Sequence, residues 1–510
     1  MRDKFFLWHL EHLGILTPET GGFRAPLWVE AQAADPVTVA LIDTGIDVAH
    51  PNLAGAMAAP QIDFGPAAGG VVHIPGGQRV AALRAALSLG SPRPDEIDAA
   101  LSGIKDDVTA NAARLGLDPE AIAAAVSEAL DAAAGDKVEA AGRVLSKLRS
   151  PRAFPPHVPG TPSDATTEAV AELGLSPAHT TALTACAANL AAGPVELPLE
   201  DPARYFGAHG TAMAGLICGR PADGADFGAL PYRGANPYAR LISYATPFGP
   251  EIRPVLTALL AAYLSGAEVI AMPRGVLDVA RRTGLATSPA RLTRIERDDG
   301  TRLQDADTAA HARLREDTDL LKALLGAIAR RRYLVLAAGN EGWPDRVAYP
   351  ASAVVDVFEA LIVGAETGDR RPAPYSNGRD MRSRLLRFVS DDAPVANADE
   401  LRVDASAATG WDHDLGAHGT VSTVYPFAPL ATDLRGNWGY SASAQAEEPG
   451  YARGEVRPAL YTPFGGTSAA TALAAGTISL LVQAGRLPRT GGAGTEAVRA
   501  ELAKAGLRVG

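Results

Sequence analysis

The feature of this sequence that most constrains its fold is a series of short apolar runs rich in β-branched residues. Runs of this length without polar alternation are typical of strands buried on both faces of a parallel sheet. Helical stretches, such as residues 317–331, lie between several of them. This alternation predicts an α/β fold with a doubly wound, mostly parallel sheet. The runs are VTVALIDTGI at 37–46 and those at 240–245, 268–272, 333–338 and 360–364.

The sequence pattern changes between about residues 65 and 200, where Ala-rich amphipathic stretches are separated by Pro and Gly. We expect a large inserted α-helical module there, with almost no strands. Two similar stretches, from Leu115 and from Leu173, each place an N-cap residue, Asp118 or Ser176, before a proline at the first helical position. The predicted domains are an N-terminal extension at 1–36, the first part of the α/β domain at 37–64, the module at 65–200 and the remainder at 201–510.

Two further segments of the predicted α/β domain depart from its strand-and-helix pattern. Residues 276–316 have the charged composition of a second insertion. Residues 380–450 form an irregular tract rich in Gly, Ala and Asp.

The composition excludes several classes of function. A net charge of −11 offers no basic surface to a nucleic-acid backbone. The sequence lacks an apolar run of about 18 residues that could span a membrane, and the first residues contain no clean signal-peptide core. We therefore expect a cytoplasmic protein that binds neither nucleic acid nor membrane. Cys186 and Cys218 lie in Ala-rich helical sequence, which favours two buried thiols over a disulfide.

The sequence contains the groups that a serine nucleophile requires: a base, a carboxylate to orient the base, and a donor for the developing oxyanion. Asp43 ends the first strand in LIDTG, and His209 begins a small-residue helix in GAHGTAMAGLICG. Ser468 follows two glycines in FGGTSAATALAAG, and Asn340 closes the strand YLVLAAGN. Each of these residues alone has an ordinary structural explanation, as a turn residue or a helix cap. Their combination and their order along the chain indicate the site of a serine nucleophile.

With these motifs the chain resembles the subtilisin-like serine proteases, or subtilases, whose chain order is Asp, His, Ser. The resemblance covers residues 37–64 and roughly 201–510. It implies that Asp43 orients the base, that His209 is the general base and acid, that Ser468 is the nucleophile and that Asn340 donates to the oxyanion. The blocks that carry it are LIDTGIDVAHPNL, AHGTAMAGLICG, GANPYARLISYA, AEVIAM, YLVLAAGNEG, ALIVGAE with YSNGRD, and GGTSAATALAAG.

A competitor for the histidine exists, because GAHGT occurs a second time around His418. After His418 the sequence is VSTVYPF, which is β-branched and then broken by proline, whereas a small-residue helix follows His209. His209 also precedes Asn340, as the family order requires. We therefore favour His209 as the base and expect His418 to be a loop residue.

The sequence departs from the family pattern at two places. The helix after the serine carries Ala472 where the family usually has proline. The segment that resembles the family's substrate-pairing edge reads Pro273, Arg274, Gly275 instead of Ser-Leu-Gly. We expect this segment to bind substrate. Arg274 then either favours an acidic substrate side chain or is a solvent-exposed rim residue.

Metal ligands are not legible in the sequence, although other polar clusters invite that interpretation. His50 in AHPNL resembles a turn residue of the family. His413, with Asp404, Asp412 and Asp414 nearby, lacks the spacing of a calcium loop. We expect no cofactor in the chemistry, while structural calcium stays open because many subtilases bind it.

The 166 residues from Asp43 to His209 are far more than the family core needs. The helical module thus returns to the active site at both ends and is placed to act as a lid, a substrate selector or a platform for a regulatory protein partner; a tolerated surface insertion is the alternative. We expect an endopeptidase that acts on protein or peptide substrates. A catalytically silent or conditionally activated scaffold that binds a partner is the second hypothesis, and a metal-dependent hydrolase is a third without a supporting motif.

Overall fold

The computed structural model of this chain describes one large sheet, the helices around it and a group of helices beside it. The described residues are 7–19, 22–48, 50–59, 61–64, 72–73, 83, 87, 94–115, 118–147, 160–191, 195–196, 207–222, 232–246, 252–276, 308–391, 428–433 and 460–510.

Strands and helices alternate along most of the described chain. In chain order the strands are β1 (Thr17–Glu19), β2 (Gly22–Arg24), β3 (Thr38–Asp43), β4 (Ile62–Asp63), β5 (Val72–His73), β6 (Val195–Glu196), β7 (Arg240–Ala245), β8 (Val269–Met272), β9 (Tyr333–Ala337), β10 (Leu361–Glu366), β11 (Leu385–Val389), β12 (Leu430–Thr432) and β13 (Tyr461–Pro463). The helices are α1 (Trp8–Leu13), α2 (Pro26–Gln32), α3 (Pro94–Leu115), α4 (Pro119–Asp131), α5 (Lys137–Lys147), α6 (Asp164–Glu172), α7 (Pro177–Ala191), α8 (Gly207–Cys218), α9 (Arg253–Leu264), α10 (Thr308–Ala329), α11 (Gly466–Gln483) and α12 (Thr495–Lys504).

The large sheet has the strand order β11-β10-β9-β8-β3-β7-β4-β5-β6. Its pairings are parallel except that of β4 with β5. The pairs β1–β2 and β12–β13 form two separate antiparallel, two-stranded sheets. The five apolar runs of the sequence become β3, β7, β8, β9 and β10, so the predicted α/β fold with a mostly parallel sheet is confirmed.

Side chains of the central strand alternate between two cores on opposite faces of the sheet. Val39 and Leu41 of β3 belong to one core, together with apolar residues of α8 and α11. Ala40 and Ile42 belong to the other, together with residues of α9 and α10. This period of two follows from the pleat of a strand. With helices over both faces, the fold is doubly wound, and β3 is buried on both sides.

The region predicted as a helical module contains the helices α3 to α7, but they fall into two groups. Residues of α3, α4 and α5 form a small core of their own. Residues of α6 and α7 belong instead to the core that covers one face of the large sheet. Two short strands of that sheet, β5 and β6, also lie within residues 65–200, so the expectation of a nearly strand-free region missed them. The domain boundaries themselves stay a prediction.

The N-cap predictions in this region are confirmed. Oδ1 of Asp118 accepts hydrogen bonds of 3.1 Å from the N–H groups of Glu120 and Ala121, at the start of α4. The hydroxyl of Ser176 accepts from the N–H of His179, at 3.3 Å, at the start of α7. In both helices a proline occupies the first position. An N–H at this position would have no acceptor within the helix, so its absence costs no hydrogen bond.

The predicted second insertion and the predicted irregular tract both contribute regular elements. The helix α10 begins at Thr308, within the segment 276–316. The tract 380–450 contains β11, which is one of the two described edge strands of the large sheet, and β12. The expectation that the tract is irregular is therefore wrong for these strands, and its residues 392–427 and 434–450 lie outside the described part of the chain.

No helix among the described residues is long and apolar enough to cross a membrane. Both cysteines are buried and free, as the sequence predicted. Burial raises the pKa of the Cys218 thiol to about 12, although the nearby Arg220 acts in the opposite direction. Cys218 is therefore an uncharged core residue near neutral pH.

Candidate active site

Asp43 is the last residue of β3 and lies at the carboxyl edge of the sheet, where doubly wound folds place their functional groups. It is 1% exposed. Its Oδ1 accepts hydrogen bonds from the backbone N–H of Thr44, at 2.7 Å, and from the Thr44 hydroxyl, at 3.0 Å. Its backbone carbonyl accepts from the N–H of Thr246, at 2.7 Å. These bonds fix the direction of the carboxylate.

His209 is the third residue of α8, and its side chain faces that carboxylate. Its Nδ1 lies 2.8 Å from Oδ1 and 3.0 Å from Oδ2 of Asp43. Because an ionised carboxylate only accepts hydrogen bonds, Nδ1 carries the proton and Nε2 is the unprotonated nitrogen of the neutral ring. The pair is close because the next residue is Gly210: a Cβ there would lie 2.1 Å from the carbonyl oxygen of Gly45.

The helices that carry His209 and Ser468 lie side by side and run in the same direction. Near their first turns, the rings of His209 and Phe464 contact each other edge-on, with centroids 5.3 Å apart. Further along, a Cβ on Gly476 would lie 2.7 Å from the carbonyl oxygen of Ile217. Ile217 follows His209 by eight residues, and Gly476 follows Ser468 by eight. Both side chains therefore lie about 12 Å from that contact, at 1.5 Å per residue, and reach the same end of the helix pair.

Asn340 lies after β9 and contacts the turn that precedes Ser468. Its Oδ1 accepts hydrogen bonds of 2.8 Å from both the N–H and the hydroxyl of Thr467. A backbone N–H can only donate, so the amide oxygen must face Thr467 and the Nδ2 group must point the other way. No hydrogen bond from this Nδ2 to another described residue is present, so it is free to donate to a bound molecule.

The first turn of α11 leaves backbone N–H groups without partners inside the helix. The N–H of Ser468 donates to no other described residue, and Ser468 itself is 9% exposed. It is thus a second unused donor beside the Nδ2 group of Asn340. The neighbouring N–H groups have acceptors in loops: Gly466 with Oδ1 of Asp391 at 3.1 Å, Thr467 with Asn340 at 2.8 Å, and Ala469 with the carbonyl of Gly465 at 3.3 Å.

The model of the subtilase family matches residues 34–502, which is most of the chain. The chain belongs to the subtilase family. The four predicted site residues, Asp43, His209, Asn340 and Ser468, all lie within the matched range. No curated protein sequence matches the chain.

Solved structures of proteases resemble this subtilase at low identity. A serine protease of Aeromonas sobria in complex with its chaperone is 13% identical, with a TM-score of 0.38, and the match covers 88% of this chain and 47% of that one. A lanthipeptide protease is 14% identical, with a TM-score of 0.40 and coverage of 95% and 82%. The epidermin leader peptide processing serine protease of Staphylococcus aureus is 12% identical, with a TM-score of 0.35 and coverage of 88% and 65%. The chain spans about half the length of the two Aeromonas sobria protease chains, 47% and 49%.

The charge of Asp43 in this subtilase is set by opposing influences. Burial favours the neutral acid, but the imidazole of His209, the guanidinium of Arg274 and the N–H of Thr44 together hold the pKa of Asp43 below its ordinary value. The carboxylate is thus ionised at neutral pH. It can stabilise a positive charge on the ring of His209.

Asp391 lies close to the turn that precedes Ser468 and was not predicted from the sequence. It follows β11, and its carboxylate accepts from the N–H of Gly466 and from the hydroxyl of Tyr375. A Cβ at Gly465 would lie 2.1 Å from its carboxylate carbon, so the glycine is required for this contact. Burial raises the pKa of Asp391, although these hydrogen bonds act in the opposite direction. Asp391 therefore anchors the turn that leads to Ser468.

Pro273, Arg274 and Gly275 directly follow β8, the neighbour of β3 in the sheet. Gly275 is exposed, whereas Arg274 is 3% exposed. The expectation of a solvent-exposed rim residue at position 274 is therefore wrong. Binding of substrate by this segment, and a preference of Arg274 for acidic side chains, stay predictions.

The remaining polar candidates divide between core and undescribed residues. His50 is buried; its Nε2 donates to the carbonyl of Leu460, at 3.0 Å, and its Nδ1 accepts from the N–H of Asn52, at 3.1 Å, so it is a structural turn residue. The described residues contain no cluster of His, Cys, Asp and Glu that could hold a metal ion. The other candidates lie outside the described residues: His413, His418, Asp404, Asp412 and Asp414.

Proposed function

We propose that the chain is a serine endopeptidase that hydrolyses peptide bonds through Asp43, His209 and Ser468 and an acyl-enzyme intermediate. The observation that carries the proposal is the contact of both carboxylate oxygens of Asp43 with Nδ1 of His209, at 2.8 and 3.0 Å. With Nδ1 held by Asp43, Nε2 is the ring nitrogen that remains for Ser468. Ser468 lies at the same end of the helix pair.

In the first step, Oγ of Ser468 attacks the carbonyl carbon of the substrate, and its proton passes to Nε2 of His209. The imidazolium that forms is stabilised by the buried carboxylate of Asp43. The same Nε2 proton is then given to the leaving amine, and the acyl group remains on Ser468. Water enters in place of the amine and attacks the acyl carbon while its proton passes to Nε2 of His209. The bond from that carbon to Oγ of Ser468 then breaks, His209 returns the proton to Oγ, and the acid is released.

The negative charge on the substrate oxygen needs donors that are already in position. The Nδ2 group of Asn340 and the backbone N–H of Ser468 are both unused by other described residues, and Asn340 is held by its two bonds to Thr467. The N-terminal end of α11 adds a favourable partial charge. These features support the assignment of Asn340 to the oxyanion.

The helices between Asp43 and His209 are proposed to restrict access to the site or to bind a protein partner. Support comes from the strands that flank them. The strands β5 and β6 pair with each other, so the chain enters and leaves the helical region α3 to α7 at neighbouring positions of the sheet. Ten residues after β6 the chain reaches α8, which carries His209. A molecule bound by these helices would therefore act close to the catalytic base.

Labelling with a serine-directed phosphonate tests the proposal, with Ser468→Ala as the matched control. We expect the wild-type protein to be labelled at Ser468 and to cleave unfolded protein substrates, and the variant to do neither. Labelling that persists in the presence of a chelator would exclude the metal-dependent hydrolase, because the proposed chemistry requires no metal. Absence of labelling in folded wild-type protein, with and without cell extract, would overturn the proposal and favour the partner-binding scaffold.

Mapping of new protein termini in a proteome treated with wild-type protein or Ser468→Ala would identify the sequences that are cleaved. Peptides that carry Glu or Lys at successive positions would test the preference for acidic side chains. Thermal unfolding with and without a chelator would show whether a structural calcium ion is bound.

A further inference from the structure

Arg274 is a buried cation beside the proposed catalytic residues, and the catalytic steps above do not use it. It is 3% exposed. Its Nη1 donates hydrogen bonds of 2.9 Å to both the carbonyl oxygen and the hydroxyl of Thr246, and its Nε donates to the carbonyl of Gly275, at 3.3 Å. A guanidinium in this position has lost most of its hydration and must be balanced by the groups around it.

The position of Arg274 in the sheet explains what it can reach. It follows β8, whereas its partner Thr246 follows β7, and β3 with Asp43 at its end lies between these two strands. Neighbouring strands are about 4.8 Å apart, so the arginine side chain spans roughly two strand spacings across the end of β3.

Thr246 connects this bridge to Asp43. The backbone N–H of Thr246 donates to the carbonyl oxygen of Asp43, at 2.7 Å, and its hydroxyl donates to the same oxygen, at 3.3 Å. Thr246 thereby accepts from Arg274 and donates to Asp43. The end of β3 is held from one side by this network and from the other by His209.

The charge of Arg274 also acts on the site. Among the described titratable groups, Asp43 raises the pKa of Arg274 against the larger opposing effect of burial, which lowers it to about 10. The charged groups that act on Asp43 are His209, from α8, and Arg274. The carboxylate therefore interacts with a permanent cation and with a ring that gains and loses its charge during the proposed catalysis.

We propose that Arg274 is a positioning residue that fixes the Asp43 end of β3 through Thr246 and, by its permanent charge, limits how strongly the carboxylate stabilises the imidazolium of His209. The inference rests on the proposed function, since it assigns a role in the same catalytic cycle. It accounts for a buried arginine directly beside the sheet edge, where the family resemblance places a leucine.

The test compares Arg274→Gln, which removes the charge but keeps an amide donor, with Arg274→Lys, which keeps the charge but loses the planar fork. The rate constant for phosphonate labelling of Ser468 is measured from pH 5 to pH 9 on samples whose thermal unfolding shows that they are folded. For Arg274→Gln we expect the acidic limb of the rate profile to move to higher pH by about half a unit or more, the effect of one nearby charge. For Arg274→Lys we expect an unmoved limb and a plateau lowered roughly tenfold by the looser anchor.

Thr246→Val is the third variant, because it removes the hydroxyl that donates to Asp43 and changes no charge. It should lower the plateau without moving the limb, and it keeps the test decisive if Arg274→Gln does not fold. The proposal would be overturned if the acidic limbs and plateaus of the folded variants were within error of those of the wild type. It would also be overturned if the acidic limb moved equally in Arg274→Gln and Arg274→Lys. The resonance of the Nδ1 proton of His209, followed by NMR, provides a readout without activity. Wild-type protein that is not labelled refutes the proposed function, whereas an unchanged Nδ1 resonance in Arg274→Gln refutes the role of Arg274.

Discussion

Gly210 determines how closely the helix of His209 can approach the loop of Asp43, and its replacement by alanine has a predictable effect. A Cβ at this position would lie 2.1 Å from the carbonyl oxygen of Gly45 and 3.3 Å from Oδ1 of Asp43. Ordinary contact begins at 3.4 Å, so the first distance is 1.3 Å too short. Neither partner is the end of a flexible side chain.

The Gly210→Ala substitution must therefore separate α8 from the end of β3 by about an ångström. Misplacement of a catalytic group by about 1 Å can lower a rate on the order of 10²-fold, and we expect this loss in the rate constant for phosphonate labelling of Ser468. Overpacking in a core destabilises by about 1–3 kcal/mol, while alanine in a helix gains about 1 kcal/mol over glycine. We expect a net loss in the free energy of unfolding, about 1–2 kcal/mol, measured by urea denaturation.

The matched control is Gly142→Ala in α5, because a Cβ at Gly142 would meet no atom of a described residue within 4 Å. This variant should gain about 0.4–1 kcal/mol in unfolding free energy and be labelled at the wild-type rate. If Gly210→Ala were labelled within threefold of the wild type and were as stable as Gly142→Ala, the close approach of α8 to the Asp43 loop would be refuted.

Asn340→Ala should lower the acylation rate by roughly 10²–10³-fold, because a donor to the oxyanion is lost; stopped-flow acylation with an activated ester checks it, and a change below fivefold contradicts it. Tyr375→Phe removes a donor from the buried carboxylate of Asp391 and should lower the free energy of unfolding by about 1–3 kcal/mol, whereas unchanged urea unfolding would refute that anchor. The pKa of Asp43 is lowered in the folded protein, so its stabilising contribution is complete above the ordinary value of 3.8 and is lost as the pH falls through the folded value. The difference in unfolding free energy between wild type and Asp43→Asn should therefore shrink below pH 3.8, and a difference that stays constant with pH would contradict this assignment.

The sequence was sufficient to predict the strands whose apolar character is uninterrupted, such as β3 and β10. It did not predict β11, because Arg387 lies in the middle of that strand. Arg387 is 7% exposed, and its guanidinium donates to the backbone carbonyls of Gly378 and Arg379. The strand tolerates this charged residue because the tertiary structure supplies hydrogen-bond acceptors for the guanidinium. The local sequence of the strand does not reveal these acceptors.

In the candidate site, too, residues within local motifs could be predicted, whereas residues that depend on tertiary contacts could not. The motifs identified His209 and Ser468, since each lies in a distinctive run of small residues, and Asp43, since it ends an apolar strand before a Thr-Gly turn. Asp391 could have been considered only after β11 had been recognised, because the reason to consider it is its place at the carboxyl end of a parallel strand. The sequence predicts that Arg274 lies just after a strand of the sheet. The direction of its side chain, however, depends on a hydrogen bond to Thr246, which is 28 residues earlier in the chain.

The small separate core of α3, α4 and α5 has a consequence for the cooperativity of the protein. Its buried residues, such as Leu101, Val126 and Val144, belong to neither core of the sheet. Elements with their own core can open as a unit with a free energy below that of global unfolding. Backbone amides of these three helices should exchange with solvent deuterium while α8 and α11 remain protected, so that the chain can lose and regain one of its parts without disturbing the arrangement of His209 and Ser468.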